Sequence, residues 1–590
     1  MKNDYNLRLR SSPTSIFLLL AGLLLTGCNA PKKQNPYNIL WLVAEDLSPF
    51  YLNAYGDSRA PTPHLDRLAR EGVVYTNSFS VSGVCAPSRS TLATGMYPNA
   101  IGTHNMRTLN LQPASRAMGL IDYQAVPPPE VKMVSEILRE NGFYCTNNAK
   151  EDYQFFKSEL AWDESGRHAH WRNRPEQEIP FFSIFNFEVT HESGMWNLKK
   201  RKYERGEYPP NRNSKSPQYK NDESEVPLQV PDDLEVEVPP YLPQNEIGKN
   251  AMRRVYSNIV RMDRAVGKIL KQLEEDDLLD QTIIVWYADH GGPLPRQKRL
   301  VYDSGLSVPL IIRFPNGARA RQRDDRLISF VDFAPTLLSM AEIPAPRHMQ
   351  GFAFEGKFKS ETPRTYIHAH ADRFDECVDL IRAVRNKRFK YLRNFHPEKP
   401  YYLPIAYREN MEVMQELLRM KKSGELDQYQ ALWFRNSKPA EELFDTENDP
   451  HELHNIAEDP AYKEVLESMR AECQRWMQDI NDMGFTDEMD LIESFYPNGK
   501  AQLTAPPQTD MVGTKLRISC PTPGARIGYR YRSEKAPFLG WTHYKEPLQI
   551  KANDTLEIIT HRLGFKYSIT PFYGQTQGET IYPPNRHDKN

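Results

Sequence analysis

Tyr37-Asn38-Ile39-Leu40-Trp41-Leu42-Val43-Ala44, followed at once by Glu45-Asp46, is the run from which the architecture can be read. A nearly continuous apolar stretch of this length reads as a strand buried on both faces. The carboxylates at its C-terminal end mark the edge of a sheet where function gathers. The pattern recurs outward along the chain. Pro63 to Glu71 reads as a helix closed by Gly72, and Val73 to Phe79 as the next strand. Glu130 to Asn141 reads as an amphipathic helix stopped by Gly142, with a strand from Phe143 to Thr146 behind it. Phe181 to Phe187, Thr282 to Ala288 and Val308 to Phe314 are further strands, and a long helix spans roughly Lys249 to Leu273. Strands alternating with helices predict an α/β fold, a mostly parallel sheet flanked by helices on both faces.

Three stretches differ from this body. Asn197 to Tyr241 is polar, proline-rich and without periodicity, and reads as an insertion or lid-like loop. Its run Lys199-Lys200-Arg201-Lys202 reads as a solvated surface more readily than as a polyanion site. From Arg382 to Tyr391 the strand pattern resumes, and Glu441 to Asn455 is turn-rich, which fits a smaller α+β subdomain at 371–490. Short alternating runs at Lys515 to Cys520, Ala525 to Tyr531 and Thr555 to Thr560 predict a small β-sandwich at 500–572.

The 590 residues carry 75 Lys plus Arg against 77 Asp plus Glu, a net charge of -2, which argues against a dedicated nucleic-acid binder. Thirty-nine percent hydrophobic and 11% aromatic residues exclude a mainly disordered chain. Six cysteines are too few for a disulfide scaffold, and spacing leaves Cys145, Cys377, Cys473 and Cys520 either paired or free. At the N-terminus, Lys2, Arg8 and Arg10 precede the apolar run Ile16 to Leu25, which is too short to span a bilayer and reads as a signal peptide at 1–27. Leu25-Thr26-Gly27-Cys28 resembles a bacterial lipoprotein box. The resemblance implies lipidation of Cys28, a linker at 28–36, and a lipid-anchored enzyme of the bacterial cell envelope, in the periplasm or at the outer-membrane surface.

Residues 83 to 95 read Gly-Val-Cys-Ala-Pro-Ser-Arg-Ser-Thr-Leu-Ala-Thr-Gly. The core Cys85-x-Pro87-x-Arg89 resembles the signature of the formylglycine-dependent sulfatases, whose fold is alkaline-phosphatase-like. Ala93 stands where that family prefers a larger apolar residue. A buried structural thiol is the plain alternative for Cys85, but it leaves the arginine, the proline and the acidic pairs unexplained. The resemblance implies that a formylglycine-generating maturation enzyme oxidises Cys85. One hydroxyl of the hydrated aldehyde would attack sulfur and the other would later expel sulfate, while a divalent cation activates the attacker. The run from Ser88 would open a helix whose N-terminus favours negative charge.

The cation needs oxygen-rich ligands, and Glu45-Asp46 and Asp289-His290 match the family's acidic pairs in place and order. The implied metal set is therefore Glu45, Asp46, Cys85, Asp289 and His290. Glu45 replaces a usual aspartate and His290 a commoner asparagine. Carboxylates in a flexible shell favour Ca2+ first and Mg2+ second. Gly142 to Lys150 (GFYCTNNAK) resembles the second sulfatase signature and places Lys150 on the sulfate, beside Arg89. Asp152 stands where the family has histidine, so it is a candidate base or an orienting group. Thr190-His191 matches the histidine that faces the leaving group. Lys298-x-x-x-Tyr302-Asp303-x-Gly305 resembles the family lysine motif, with Ser307 replacing a frequent arginine. Asp332 to Leu338 and Leu443 to Pro450 look like structural landmarks.

The resemblance covers roughly residues 37 to 480, with a catalytic domain at 37–370. Gly102 to Arg107 (GTHNMR) adds His104 and Arg107 as residues that would face a sulfated sugar. The implied activity is hydrolysis of sulfate esters, N-sulfate included, on a sulfated saccharide. Two rivals stand beside it. One is a phosphate or phosphonate ester hydrolase of the same superfamily; the other is an inert lipid-anchored protein that binds sulfated glycans.

Overall fold

The apolar run around Trp41 forms strand β1 (Asn38–Ala44), and every residue of it is buried. The computed structural model describes residues 36–109, 111–196, 227–532 and 540–574. The signal segment, Cys28 and the basic run at 199–202 lie outside the described residues, as does most of the expected linker and insertion.

β1 lies inside a sheet built with β2 (Val73–Phe79), β3 (Tyr144–Asn148), β4 (Glu164–Ser165), β5 (Phe181–Phe187), β6 (Thr282–Ala288), β7 (Ser307–Arg313) and β8 (Gln322–Ser329). The order across the sheet is β4-β3-β5-β1-β6-β7-β2-β8. β1 runs parallel to β5 and β6, with Ala44 level with Phe187 and Ala288. The residues that follow these strands, Glu45-Asp46, Glu188–His191 and Asp289-His290, therefore leave the sheet at one edge. β7 departs from the parallel expectation and runs antiparallel to both β6 and β2. Antiparallel neighbours need no crossover helix, and the β6–β7 connection instead folds back across the site. Gly291 permits that return, since a Cβ there would lie 2.3 Å from the Ser304 carbonyl oxygen.

The long helix spans Glu246–Glu275 and starts earlier than predicted, because the Asn245 side chain accepts the Ile247 and Gly248 amides as an N-cap. The helix expected from Glu130 begins only at Val134. The prolines at 127–129 and a turn bond from the Val131 amide to the Pro128 carbonyl hold the preceding residues out of it.

A second, antiparallel sheet joins β9 (Ile367–Ala371), β10 (Ile381–Arg385), β11 (Phe389–Asn394) and β12 (Glu441–Asp445). The single stretch predicted from Arg382 to Tyr391 is thus two strands meeting at a turn. The boundary set at 370 falls inside β9. That set at 490 falls inside the helix Glu488–Phe495, whose Leu491, Ile492 and Phe495 pack against Leu111, Leu120 and Tyr123.

Beyond this come β13 (Gln508–Val512), β14 (Lys515–Ser519), β15 (Arg526–Tyr531), β16 (Thr542–His543), β17 (Leu548–Gln549), β18 (Thr555–His561) and β19 (Ser568–Tyr573). They form two sheets, β13-β14-β17 and β16-β15-β18-β19. Leu516 and Ile518 of one sheet share a core with Leu556 and Ile558 of the other, as in a β-sandwich. Cys145, Cys377, Cys473 and Cys520 are all free.

Candidate active site

Cys85 is the first residue of a helix, Cys85–Thr94, that is buried along its whole length. The Ser88 hydroxyl donates to the Asp289 carbonyl and sits 2.9 Å from Ser80 Oγ, tying the helix N-terminus to the end of β6. Cys85 Sγ consequently lies 3.4 Å from His290 Nε2, 3.5 Å from Lys298 Nζ and 3.9 Å from Asp46 Oδ1. Three residues distant from Cys85 in the sequence meet on this sulfur.

Asp46 is the hub. It adopts a left-handed backbone (φ 46°) that turns the carboxylate back over the strand end. Its oxygens accept from Lys298 Nζ at 2.7 and 2.9 Å and from the Glu192 amide at 2.7 Å. Burial opposes its ionisation, yet Lys298, His191 and His290 hold it well below the usual carboxylate range. Asp289 is also held low against burial, by His290 and Arg89. Glu45 goes the other way: burial pushes it up over the pull of Lys150 and Arg89. Arg89 reaches Glu45 and Asp289 at 3.2 and 3.1 Å, and it donates to Asn186 Oδ1 at 2.7 Å.

The donor set suits a hard divalent cation. Ligand atoms of Asp46, Cys85, Asp289 and His290 all lie within 4.8 Å of one another, and so do those of Glu45, Asp46 and His191. Three buried carboxylates converging this closely call for positive charge between them. His290 Nδ1 lies 3.1 Å from the Gly291 carbonyl and Nε2 lies 2.9 Å from Asp46, and against burial Asp289 and Asp46 hold the imidazole up at about 10; a cation bound here would take the place of the Nε2 proton.

The other residues singled out from sequence fall into three groups. Lys150 and Lys298 are at the centre, Lys150 Nζ on Glu45 at 2.6 Å and Lys298 on Asp46. His191 is there too, its Nδ1 3.0 Å from Ser193 Oγ, and burial together with Lys298 holds the imidazole well below its ordinary pKa. Arg107 and Asp152 instead line an open cleft of about 750 Å³ next to the centre. His104 does not face a sugar-binding surface: it is only 2% exposed, and its charged neighbours are Asp372, His370 and Arg382.

Sequence reading missed a buried charge chain. Glu192 lies 3.5 Å from Lys298 and is clasped by both terminal nitrogens of Arg299. Arg299 in turn donates to Asp375 at 2.6 Å, and Asp375 accepts from Arg107. The chain links the cleft rim to the sulfur. Its only sequence signal is adjacency, Glu192 after His191 and Arg299 after Lys298.

The sulfatase family model matches residues 37–171 and 173–343, and the C-terminal model of N-sulphoglucosamine sulphohydrolase matches 296–426. An ulvan-active sulfatase of Formosa agariphila is 48% identical over 542 residues, spanning 90% of each chain. The Homo sapiens N-sulphoglucosamine sulphohydrolase is 25% identical over 487 residues, 76% of this chain and 91% of that one. A solved structure in complex with its substrate D-glucosamine-2-N,6-O-disulfate shares the fold, with a TM-score of 0.53 and 17% identity over 77% of this chain and 100% of that one. With a family match over more than half of its length, and a relative nearly half identical across almost all of it, this chain belongs to the sulfatase family.

Proposed function

We propose that this sulfatase removes sulfate from an anionic glycan of the ulvan class, using a formylglycine made from Cys85 and a bound Ca2+, with Mg2+ the second choice. The observation carrying this reading is the meeting of Cys85, Asp46, Asp289, His290 and Lys298 at one sheet edge, in a chain 48% identical to an ulvan-active enzyme. The aldehyde would supply a nucleophile that can be regenerated, and the cation, held by Glu45, Asp46, Asp289 and His290, would lower its pKa and offset sulfate charge.

The chain's own residues do the rest. Arg89 holds Glu45 and Asp289 in place while donating to Asn186, which fixes the acidic wall before substrate arrives. Lys150 and Lys298 are cations beside the sulfur that can turn from their carboxylates to the sulfate oxygens. A formylglycine-generating maturation enzyme would act on Cys85 before the helix Cys85–Thr94 is buried. The test is free sulfate released from ulvan oligosaccharides, with N-sulfated glucosamine and matched phosphate esters as controls. Sulfate from the ulvan series is the expected product; turnover of the phosphate esters alone would overturn the reading.

His191 would protonate the departing sugar oxygen. Burial and Lys298 disfavour its protonated form, and an anionic ester seated between His191 and Lys298 would counter that. His191→Ala is expected to slow a sugar sulfate by roughly 10²- to 10⁴-fold. It should largely spare a nitrophenyl sulfate, whose anion leaves unaided. Equal losses on both substrates would make His191 a sulfate-binding or structural residue. Cys28→Ser is expected to move the protein from the membrane to the soluble fraction without changing its kcat, and a wild-type protein that fractionates as soluble would contradict the anchor.

A further inference from the structure

We propose that the C-terminal β-sandwich forms the far wall of the substrate cleft and binds sugar units beyond the one losing its sulfate. This rests on the glycan reading above. Neither family model reaches past residue 426, so the wall lies outside the residues those two models match.

The cleft of about 750 Å³ has two sides. Arg107 and Asp152, from the catalytic body, line one. Leu503, Lys566 and Tyr567, from the appended module, line the other. The module's contribution is chemically mixed and open to solvent: Leu503 is 59% exposed, Tyr567 is 45% exposed, and Lys566 is exposed as well. A cation beside an aromatic ring and an aliphatic side chain suits a charged sugar, which has an apolar C–H face and anionic substituents. Lys566 lines the cleft along with Arg107 and Lys157, and the carboxylates of Glu151, Asp152 and Glu159 share that lining, so whatever enters meets charges of both signs, with Lys566 the cation that the module adds. Arg107 is also the outer end of the charge chain running through Asp375, Arg299 and Glu192 to Lys298, which ties the cleft rim to the Cys85 position through one series of ion pairs.

The wall is fixed to the body. Leu563, 5% exposed, packs in one cluster with Tyr153 and Phe155, on the loop that carries Asp152. The Gly564 amide donates to the Phe156 carbonyl at 2.9 Å. Gly564 has φ +83°, and a Cβ there would lie 2.7 Å from the Ala125 oxygen, so the hairpin tip sits flush against the body. His561 bridges the join, its Nδ1 accepting from the Glu159 amide at 2.9 Å and its Nε2 donating to the Phe565 carbonyl at 2.8 Å. A wall held this way presents Lys566 and Tyr567 at a set distance from the catalytic loop. That is what a subsite requires.

The test measures binding, separate from turnover, on the full chain carrying Cys85→Ala. Calorimetric Kd values are taken for ulvan disaccharide, tetrasaccharide and hexasaccharide. Affinity should rise with chain length. Adding Lys566→Ala with Tyr567→Ala should weaken the hexasaccharide by about tenfold or more while changing the disaccharide little, with the melting temperature held. Lys566→Glu should weaken the longer chains further and flatten their salt dependence. Affinity that does not depend on length, or a length dependence untouched by these substitutions, would overturn the proposal alone. An equal loss at every length would also overturn it, since the wall would then serve the fold. Failure of every ulvan fragment to bind would overturn the glycan reading together with it.

Discussion

Cys85→Ala is expected to abolish sulfate release, by on the order of 10⁵-fold or more, while the protein still folds. The thiol is 1% exposed at the head of a helix whose remaining residues are packed independently of it, and alanine keeps the helix while deleting only the sulfur. The stability change should stay near about 1 kcal/mol, as for a small buried substitution without cavity collapse. What is lost is chemical. Lys298, His290 and Asp46 all converge on the atom removed, and no other described nucleophile stands at that point. Cys85→Ser should be nearly as inactive unless a serine-type maturation enzyme is present. Sulfate release at the wild-type rate from Cys85→Ala would remove the nucleophile assignment.

Exhaustive chelation is expected to stop turnover, with calcium the best restorer. Asp46→Asn should lower calcium affinity by more than about 100-fold. The amide keeps the shape of the carboxylate but not its charge, and Asp46 is the residue on which Lys298, His290 and the Glu192 amide all close. Asparagine would also leave the Lys298 ammonium buried without its main counter-ion, so the variant should melt lower even before metal is added. Asp289→Asn should weaken binding in the same direction, because it removes one of the carboxylates that Arg89 braces. Calorimetry reads the metal affinity without relying on turnover. An unchanged rate after chelation would mean that the acidic wall is structural.

Much of this was legible in the sequence for a simple reason. Strands buried on both faces are largely apolar, so β1 and β6, buried at every residue, and the mostly apolar β2 and β5 stand out as runs with sharp ends. The site residues sit one to four positions past those ends, and there the resemblance to the family's motifs allowed Glu45, Asp46, His191, Asp289 and His290 to be named in advance. Strand direction was not legible, because an apolar run reads the same either way, and β7 turned out antiparallel. The turn that splits β10 from β11 was hidden for a related reason: the residues on both sides alternate alike. His104 was placed at the sugar on its motif, whereas the fold leaves it only 2% exposed, with Asp372 and Arg382, far along the chain, among its charged neighbours. The Glu192–Arg299–Asp375–Arg107 chain joins partners up to 268 residues apart, a pairing that spacing cannot reveal. Chemistry that needs a strand end is local. Chemistry that needs several distant charges is not.

The most direct test is the mass of the peptide carrying Cys85, taken from protein that releases sulfate. An aldehyde in place of the thiol, at an occupancy that tracks specific activity, is the expected result. Fully active protein whose Cys85 remains an unmodified thiol would contradict the formylglycine nucleophile and the roles assigned to the residues around it.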